Sequence, residues 1–152
     1  KWEGRWQKLK LKKQTLILDS THNAEACLQL EENLRNHIAE SGKKPIIITG
    51  ILGRERAGDI MPLLSQFAKS LYLVEPDQPR SCSAETLTSL IPKSQSIQPI
   101  ASRLEQLFSE KSCQIGDETD TILVTGSIYL IAEVLTILEG HSKDPIGQDL
   151  IQ

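Results

Sequence analysis

An acid, an imidazole and an amide lie within five residues of one another, at Asp19, His22 and Asn23, directly after the apolar run 16–18. An apolar run that ends in a polar cluster indicates a strand buried on both faces. In open α/β sheets, ligands bind outside the carboxyl ends of the strands, where loops and helix N-termini converge. We therefore expect a small-ligand site here. In the alternative interpretation, Asp19 and Asn23 only cap a helix and His22 is a surface residue.

Length and composition indicate one ordinary globular domain. The chain has 152 residues, of which 39% are hydrophobic, 24% charged and 4% aromatic, so one aliphatic core is expected. The net charge of -3 argues against nucleic acid or an anionic membrane as a partner. The sequence contains neither a recognisable signal peptide nor a long apolar segment, and no membrane partner is expected.

The number and spacing of the cysteines indicate the cellular compartment in which the protein works. Cys27, Cys82 and Cys113 are odd in number and widely spaced, and no Cys-x-x-Cys occurs. A disulfide framework or a structural zinc site is therefore not expected, and no metal ligand is assigned. A cytoplasmic protein is predicted.

The candidate residues depend on the strands and helices around them. The period-two alternation over 6–11 predicts an edge strand with one solvated face, antiparallel to the buried strand Thr15–Asp19. Gly50 and Gly53 are expected to frame a loop that holds Arg54–Asp59. The other predicted strands cover 45–51, 70–74, 97–100 and 121–125. The predicted helices cover 24–41, 59–68 and 83–91. Two further helices are predicted, one capped by Ser102 and one that begins after Gly126-Ser127 and runs to Leu138.

Strands that alternate with helices at this spacing predict a three-layer α/β/α, Rossmann-like domain. Its sheet should be mostly parallel, with about six strands of which one is an antiparallel edge strand. The predicted organisation is a lead-in with the edge strand over 1–13, the α/β domain over 14–139 and a polar tail over 140–152.

Three segments occur in the order seen in a known family: Arg5, then Leu18-Asp19-Ser20-Thr21-His22-Asn23, then Val124-Thr125-Gly126-Ser127-Ile128-Tyr129-Leu130. With them, the chain resembles the C-terminal domain of folylpolyglutamate synthase and dihydrofolate synthase, in the Mur ligase family of ATP-dependent amide-forming enzymes. That family typically has Gly-Arg in the lead-in, Asp-Gly-Ala-His-Asn-Pro after the strand and Thr-Gly-Ser-Leu-Tyr near the end. Pro79-Arg80-Ser81 resembles its Pro-Arg-Ala loop.

The chain also departs from that pattern. Ser20-Thr21 replaces Gly-Ala, Ala24 replaces Pro, and Arg54-Glu55-Arg56-Ala57 stands where the family usually has Asp-Lys-Asp. The Ser20-Thr21 change keeps the acid and the imidazole but stiffens the turn, so the site is expected to be retained. The role of the 54–59 segment stays open.

The resemblance implies a nucleotide site. Arg5 resembles the residue that reaches the ATP phosphates, where a guanidinium forks onto phosphate oxygens. Asp19 resembles the residue that accepts hydrogen bonds from the ribose hydroxyls. His22 and Asn23 resemble the lining of the nucleotide and acyl-phosphate region, and His22 is the candidate catalytic residue. Without the resemblance, Arg5 reads as a solvated residue of a loose N-terminus.

The resemblance also implies an amino-acid site. Ser127 opens a helix after a buried strand, so its hydroxyl and the nearby N–H groups can hold a carboxylate, which the family assigns to the incoming glutamate. Arg80 is the second implied substrate-binding residue. The alternatives are that Ser127 is only an N-cap and that Arg80 is a surface charge.

The chain has no Gly-x-x-x-x-Gly-Lys-[Ser/Thr] segment, the loop that cradles phosphates. The family's reaction, in which ATP phosphorylates a folate carboxylate and the glutamate amine attacks the acyl phosphate, needs metal and Lys/Arg charges. We therefore expect a C-terminal domain that is inactive alone and closes onto an N-terminal ATPase domain, which holds most of the Mg²⁺ contacts. The implied small molecules are ATP, L-glutamate and folate or dihydropteroate.

Two other functions remain open: the C-terminal domain of a UDP-muramyl amino-acid ligase, and a free-standing, non-catalytic α/β binding domain. The Thr-Gly-Ser-Ile-Tyr run favours the folate branch over the muramyl branch. A receiver-like binding module would need an acidic pair at the end of the first buried strand, and Asp19 has no acidic neighbour in sequence.

Overall fold

The computed structural model describes residues 4–140. Along that part of the chain, strands and helices alternate after an initial strand pair. The elements are β1 (Gln7–Lys10), β2 (Thr15–Asp19), α1 (Ala24–Ser41), β3 (Ile46–Thr49), α2 (Arg54–Phe67), β4 (Ser70–Leu73), α3 (Ala84–Ser89), β5 (Ile100–Ala101), α4 (Leu104–Leu107), β6 (Phe108–Ser109), β7 (Ser112–Cys113), β8 (Thr121–Thr125) and α5 (Ile128–Leu138).

Six strands form one sheet in the order β1-β2-β8-β3-β4-β5. Only the β1–β2 pair is antiparallel, and every other neighbouring pair is parallel. Thr125 at the end of β8 is paired with Asp19 on one side and with Thr49 on the other. The carboxyl ends of the three central strands therefore lie side by side, as the sequence predicts.

Each face of the sheet is covered by helices. Leu16, Leu18 and Val124 face a core that includes α4 and α5, while Ile17 and Leu123 face a second core that includes α1, α2 and α3. Successive side chains of a strand point to opposite faces, so these continuous apolar strands supply both cores. The predicted three-layer α/β/α architecture with one antiparallel edge strand is confirmed.

The helix after β2 has the predicted bounds because the sequence carries a local signal for its start and another for its end. The Asn23 side-chain oxygen accepts the N–H of Ala26 at 2.9 Å, which satisfies one of the free donors of the first turn. Gly42 ends the helix in the left-handed conformation, with φ of 76°. The helix places His22 and Asn23 at its N-terminus, beside the end of β2.

The predicted loop over Arg54–Asp59 is wrong, because those residues form the first turns of α2. Gly53 precedes the helix with φ of 90°, a left-handed conformation that glycine adopts without strain. Ala57 and Ile60 are both fully buried, so the apolar face of the helix starts one turn earlier than the charged residues suggested. The consequence is that Arg56 has a fixed place on a helix.

The region 97–113 also differs from expectation. The strand predicted over 97–100 is the two-residue β5, at Ile100–Ala101. The capping position of α4 is Arg103 rather than Ser102, since the Arg103 N–H donates to the Gln106 side chain at 3.0 Å. Phe108 starts the hairpin β6–β7, which was missed because its turn uses Lys111 at φ of 56°, without a glycine or asparagine signal.

The sequence of α5 is apolar nearly all round, which predicts a well-covered helix, but its first two residues are exposed. Ile128 and Tyr129 are 44% and 48% accessible, whereas Leu130 and Ile131 are fully buried. Residues 1–3 of the predicted lead-in and 141–152 of the predicted tail lie outside the described residues. Within 4–140, no helix combines the length and the apolar character that crossing a bilayer requires.

A charge cluster ties the amino ends of the parallel strands together. Lys43 precedes β3, Lys69 precedes β4 and Asp120 precedes β8. The two lysine Nζ atoms lie 3.0 and 2.6 Å from Oδ1 of Asp120, whose side chain is 1% exposed. Burial raises the pKa of Asp120, but hydrogen bonds from Lys69, the Asp117 N–H and Lys43 outweigh burial and hold that pKa at about 2.

Candidate functional site

Two adjoining clefts lie at the carboxyl edge of the sheet. The first cleft, of about 420 Å³, lies between the lead-in segment, which we define as residues 4–6, and the N-terminal half of α1. The second cleft, of about 140 Å³, lies where α1, α2 and α5 begin. Ser20 and His22 line both clefts, so these residues form the wall between them.

The lead-in segment is held against the end of β2 by hydrogen bonds on both sides of Arg5. The carbonyl oxygen of Gly4 accepts the Ser20 N–H at 3.0 Å and the Ser20 hydroxyl at 2.7 Å. The N–H of Trp6 donates to Oδ2 of Asp19 at 2.9 Å. Arg5, between these two anchors, is exposed and lines the first cleft.

Asp19 lines the first cleft, but most of its hydrogen-bonding capacity is used inside the protein. Its side chain is buried, with 4% of the residue exposed. One carboxylate oxygen accepts Trp6 N–H, and the other accepts both the N–H of Thr21 at 2.9 Å and the Thr21 hydroxyl. A carboxylate offers about four acceptor sites, so about one remains for a ligand.

His22 and Asn23 occupy the turn between β2 and α1, and both are exposed. The Nδ1 atom of His22 lies 2.8 Å from the carbonyl oxygen of Ser20. Asn23 uses its side-chain oxygen to cap α1. The first cleft therefore contains both the predicted imidazole and the predicted amide, and its wall at His22 adjoins the second cleft.

Ser127 lines the second cleft at the start of α5. It is buried, and its hydroxyl oxygen accepts the Tyr129 N–H at 3.1 Å, so it is an N-cap as the alternative interpretation proposed. A ligand in this cleft would still meet the remaining N–H groups of the first turn, where helices favour negative charge. Gly126, with φ of 117°, packs closely against the end of β3, because a Cβ there would lie 2.5 Å from Oγ1 of Thr49.

The second cleft contains an arginine, Arg56, to which the sequence analysis gave no role. It does not contain Arg80, which the resemblance implied as a substrate-binding residue. Arg56, on the first turn of α2, lines the cleft with Ser127, and sequence reasoning had placed it in a loop without a role. Arg80 lines neither cleft; its loop lies at the start of α2, where the Arg80 carbonyl accepts the Gly53 N–H at 3.0 Å. The charge triplet at 54–56 was the only sequence signal that could have indicated Arg56.

The site's nearby thiol is not prepared for nucleophilic chemistry. Burial, followed by the charges of Asp59 and Asp19, raises the pKa of the Cys27 thiol. A thiol with a raised pKa is protonated near neutral pH and is a poor nucleophile. Among residues 4–140, no group of three or more His, Cys, Asp or Glu side chains is placed to hold a metal ion.

Comparison with known proteins gives a family match over most of the chain. The family model described as "Mur ligase, glutamate ligase domain" matches residues 4–128. No curated protein sequence matches the chain. The comparison of folds, in contrast, gives several solved structures with high similarity.

Three of these structures cover nearly the whole chain. Folylpolyglutamate synthase from Thermotoga maritima is 20% identical with a TM-score of 0.71, and the match covers 97% of this chain and 33% of that one. Bifunctional folylpolyglutamate synthase/dihydrofolate synthase from Yersinia pestis, complexed with AMPPNP and Mn ion, is 25% identical with a TM-score of 0.67, covering 91% and 32%. E. coli FolC in complex with DHPP and ADP is 19% identical with a TM-score of 0.70, covering 91% and 31%. The chain thus spans about a third of the length of these proteins.

Proposed function

The chain belongs to the Mur ligase family, as its glutamate ligase domain, and from this premise we propose that it is the C-terminal domain of a ligase that joins glutamate to a folate. The observation that carries the proposal is the pair of clefts that meet at His22. One cleft offers contacts suited to a phosphorylated nucleotide, and the other offers contacts suited to a carboxylate. The similar solved structures are folate ligases, one with bound AMPPNP and one with bound ADP, which supports the same assignment.

The first cleft is proposed as the part of the ATP site that this domain supplies. Arg5 is held at its edge with a guanidinium that can fork onto phosphate oxygens. His22 and the N-terminus of α1 also line the cleft, and backbone N–H groups at a helix N-terminus favour an anion. Asp19 has about one acceptor site left for a ribose hydroxyl. A volume of about 420 Å³ is in the usual range for a small-ligand site.

The second cleft is proposed as the site of the incoming glutamate. The starts of three helices surround it, and each carries a partial positive charge. Ser127 and the first turn of α5 would receive one carboxylate, and Arg56 would receive the other. Arg80 is not assigned to this substrate, because it lines neither cleft.

In this proposal ATP supplies the phosphoryl group that activates the folate carboxylate, and the glutamate amine then attacks the acyl phosphate. His22 lies in the wall between the two clefts, so it is the described residue best placed to contact the reacting groups. A longer polypeptide with an N-terminal ATPase domain would provide the phosphate loop, which this sequence lacks, and most of the magnesium ligands. The 152-residue chain alone should therefore be inactive, and the intact ligase should work in the cytoplasm.

The proposal is tested by turnover of the intact ligase with ATP, Mg²⁺ and L-glutamate. Dihydropteroate or folate as the acceptor should give amide product, and UDP-muramyl acceptors should not. Turnover with UDP-muramyl acceptors alone would replace the folate assignment by the peptidoglycan branch. Absence of ATP-dependent turnover with every acceptor, from a protein that is folded, would favour a binding domain.

The ribose assignment of Asp19 has its own test. If Asp19 accepts a ribose hydroxyl, 2′-deoxy-ATP or 3′-deoxy-ATP should show a higher KM than ATP in the wild type. That difference should disappear in Asp19→Asn, which keeps the shape of the side chain. Equal KM values for ATP and both deoxy analogues in the wild type would leave Asp19 without a ribose contact.

A further inference from the structure

Two hydroxyl groups that the family pattern lacks form hydrogen bonds around the lead-in segment. Ser20 and Thr21 stand where the related motif has Gly-Ala. The Ser20 hydroxyl donates to the Gly4 carbonyl at 2.7 Å, and the Thr21 hydroxyl donates to the carboxylate of Asp19. Glycine and alanine could supply only the backbone part of these contacts.

The lead-in segment needs such anchors because its backbone is unfavourable on its own. Gly4 adopts its φ of 83° without strain, but Trp6 has φ of 40°, and a residue with a Cβ is rarely found in the left-handed region. A conformation of this kind persists where surrounding contacts determine it. Here the contacts come from the turn after β2: Ser20 binds Gly4 on one side of Arg5, and Asp19 binds Trp6 on the other.

Thr21 acts on the lead-in segment indirectly, through Asp19. Its N–H and hydroxyl both donate to Oδ1 of Asp19, which leaves Oδ2 directed to the Trp6 N–H. Thr21 is buried, so its hydroxyl has little access to water as an alternative partner. The orientation of the carboxylate, and with it the position of Trp6, therefore depends on Thr21.

We propose that Ser20 and Thr21 are positioning residues whose hydroxyl groups, through Gly4 and Asp19, hold Arg5 at the first cleft. The part of this inference that concerns ATP rests on the proposed function. The part that concerns the lead-in segment does not, because the hydrogen bonds hold Arg5 in place whatever the cleft binds.

A spectroscopic experiment tests the position of the lead-in segment without any assumption about function. The chain has two tryptophans, so Trp2→Phe leaves Trp6 as the sole emitter. Trp6 is half-buried against the α1–α3 core, with its ring 6.3 Å from that of His37. In this background, Ser20→Ala and Thr21→Val should red-shift the Trp6 emission and raise its quenching by acrylamide, while far-UV circular dichroism stays unchanged.

Two matched variants control for the loss of a hydroxyl elsewhere. Ser65 is buried in α2 and donates its hydroxyl to the Pro62 carbonyl, and Thr136 is buried in α5 and donates to the Ala132 carbonyl. Ser65→Ala and Thr136→Val should leave Trp6 emission and quenching as in the parent. Unchanged Trp6 quenching in both Ser20→Ala and Thr21→Val would overturn the proposal.

A kinetic experiment in the intact ligase tests whether the positioning acts through Arg5. Loss of one hydroxyl should raise the KM for ATP by roughly 2- to 10-fold, the effect expected from one hydrogen bond. The KM for glutamate should not change in Thr21→Val, because Thr21 lines the first cleft and not the second. In an Arg5→Ala background, Ser20→Ala should have no further effect on the KM for ATP, because the residue that it positions is gone, and Thr21→Val should keep only the part of its effect that acts through the Asp19 ribose contact.

The kinetic outcomes separate this inference from the proposed function. If Arg5→Ala alone leaves the KM for ATP unchanged, the nucleotide assignment of the first cleft fails, and the Trp6 quenching still decides the positioning role. If Arg5→Ala raises the KM but Ser20→Ala and Thr21→Val raise it equally in the presence and absence of Arg5, the hydroxyls do not act through Arg5 and the inference is wrong.

Discussion

The Nδ1 atom of His22 lies 2.8 Å from the carbonyl oxygen of Ser20. Since a carbonyl can only accept a hydrogen bond, this distance assigns the proton to Nδ1 of the imidazole. Nε2 is then the nitrogen that a ligand meets as an acceptor in the neutral ring. A backbone contact thus sets the tautomer of the side chain that lies in the wall between the two clefts.

This tautomer leads to a test of His22 as the candidate catalytic residue. His22→Ala in the intact ligase should lower kcat by about 100-fold if the imidazole assists proton transfer, a typical contribution of a general acid or base. His22→Gln, which keeps a hydrogen-bonding group near the Nε2 position, should retain ATP binding better than His22→Ala. His37→Gln, on α1 away from both clefts, is the matched control, and an unchanged kcat in His22→Ala would remove the assignment.

Arg56 should determine the affinity for glutamate. Arg56→Gln is expected to raise the KM for glutamate by about 10-fold or more, since a charge-assisted hydrogen bond to a carboxylate is lost. The KM for ATP should stay the same, because Arg56 does not line the first cleft. Arg54→Gln, two residues earlier on the same exposed turn and outside the second cleft, is the control. Equal glutamate KM values in the two variants would contradict the role of Arg56.

Asp120 should make the fold sensitive to acid. Its pKa of about 2 in the folded protein is lower than its ordinary value of 3.8, so its stabilising contribution is present above the ordinary value and is lost as pH falls through about 2. Asp120→Asn should lower the free energy of unfolding by about 2 kcal/mol at pH 7 and flatten its decline between pH 4 and 2. Urea titration across this range measures both effects.

The lysine partners provide the matched comparison for Asp120. Lys69→Met removes the closer of its two ammonium partners and should reproduce part of the loss at pH 7. Lys44→Met removes a neighbouring ammonium group that binds the Gln66 carbonyl instead, so stability should change little. Equal losses in the two lysine variants would show that the buried carboxylate is not the source of the effect.

Two glycines should respond to alanine in opposite directions. Gly126 has φ of 117°, and a Cβ there would lie 2.5 Å from Oγ1 of Thr49, so Gly126→Ala should destabilise the domain by about 2 kcal/mol or more. Gly58 lies inside α2 with open space around it, so Gly58→Ala should stabilise the domain by about 0.5–1 kcal/mol. Thermal unfolding of both variants checks the pair, and a Gly126→Ala variant as stable as the parent would contradict the close packing at this turn.

The parts of the fold that the sequence predicts well are those with a local signal. Thr15–Asp19 and Thr121–Thr125 are apolar runs ended by polar residues, and Ala24–Ser41 has Asn23 and Gly42 at its ends. The predicted start of α2 was wrong because the first turn of this helix is charged. The burial of Ala57 against other elements, which places that turn on the helix, is not visible in the sequence. The β6–β7 hairpin was missed because its turn has no glycine.

The residues of the candidate site also divide into those that the sequence predicts and those that it does not. Asp19, His22 and Ser127 could be grouped from sequence, because each follows a buried strand and parallel strands end at the same edge. Arg56 could not, since its place in the second cleft depends on where α2 begins. The hydrogen bonds that Ser20 donates to Gly4 and that Asp19 accepts from Trp6 were also unpredictable, because they join residues that are distant in sequence and depend on a left-handed backbone at Trp6.

The shared wall between the clefts affects how a reaction here can proceed. Molecules bound on its two sides would meet at the side chains of Ser20 and His22, so their reactive ends could approach each other while each stays bound in its own cleft. A third reactant would have to reach the same two side chains, so the order of binding should matter for the reaction.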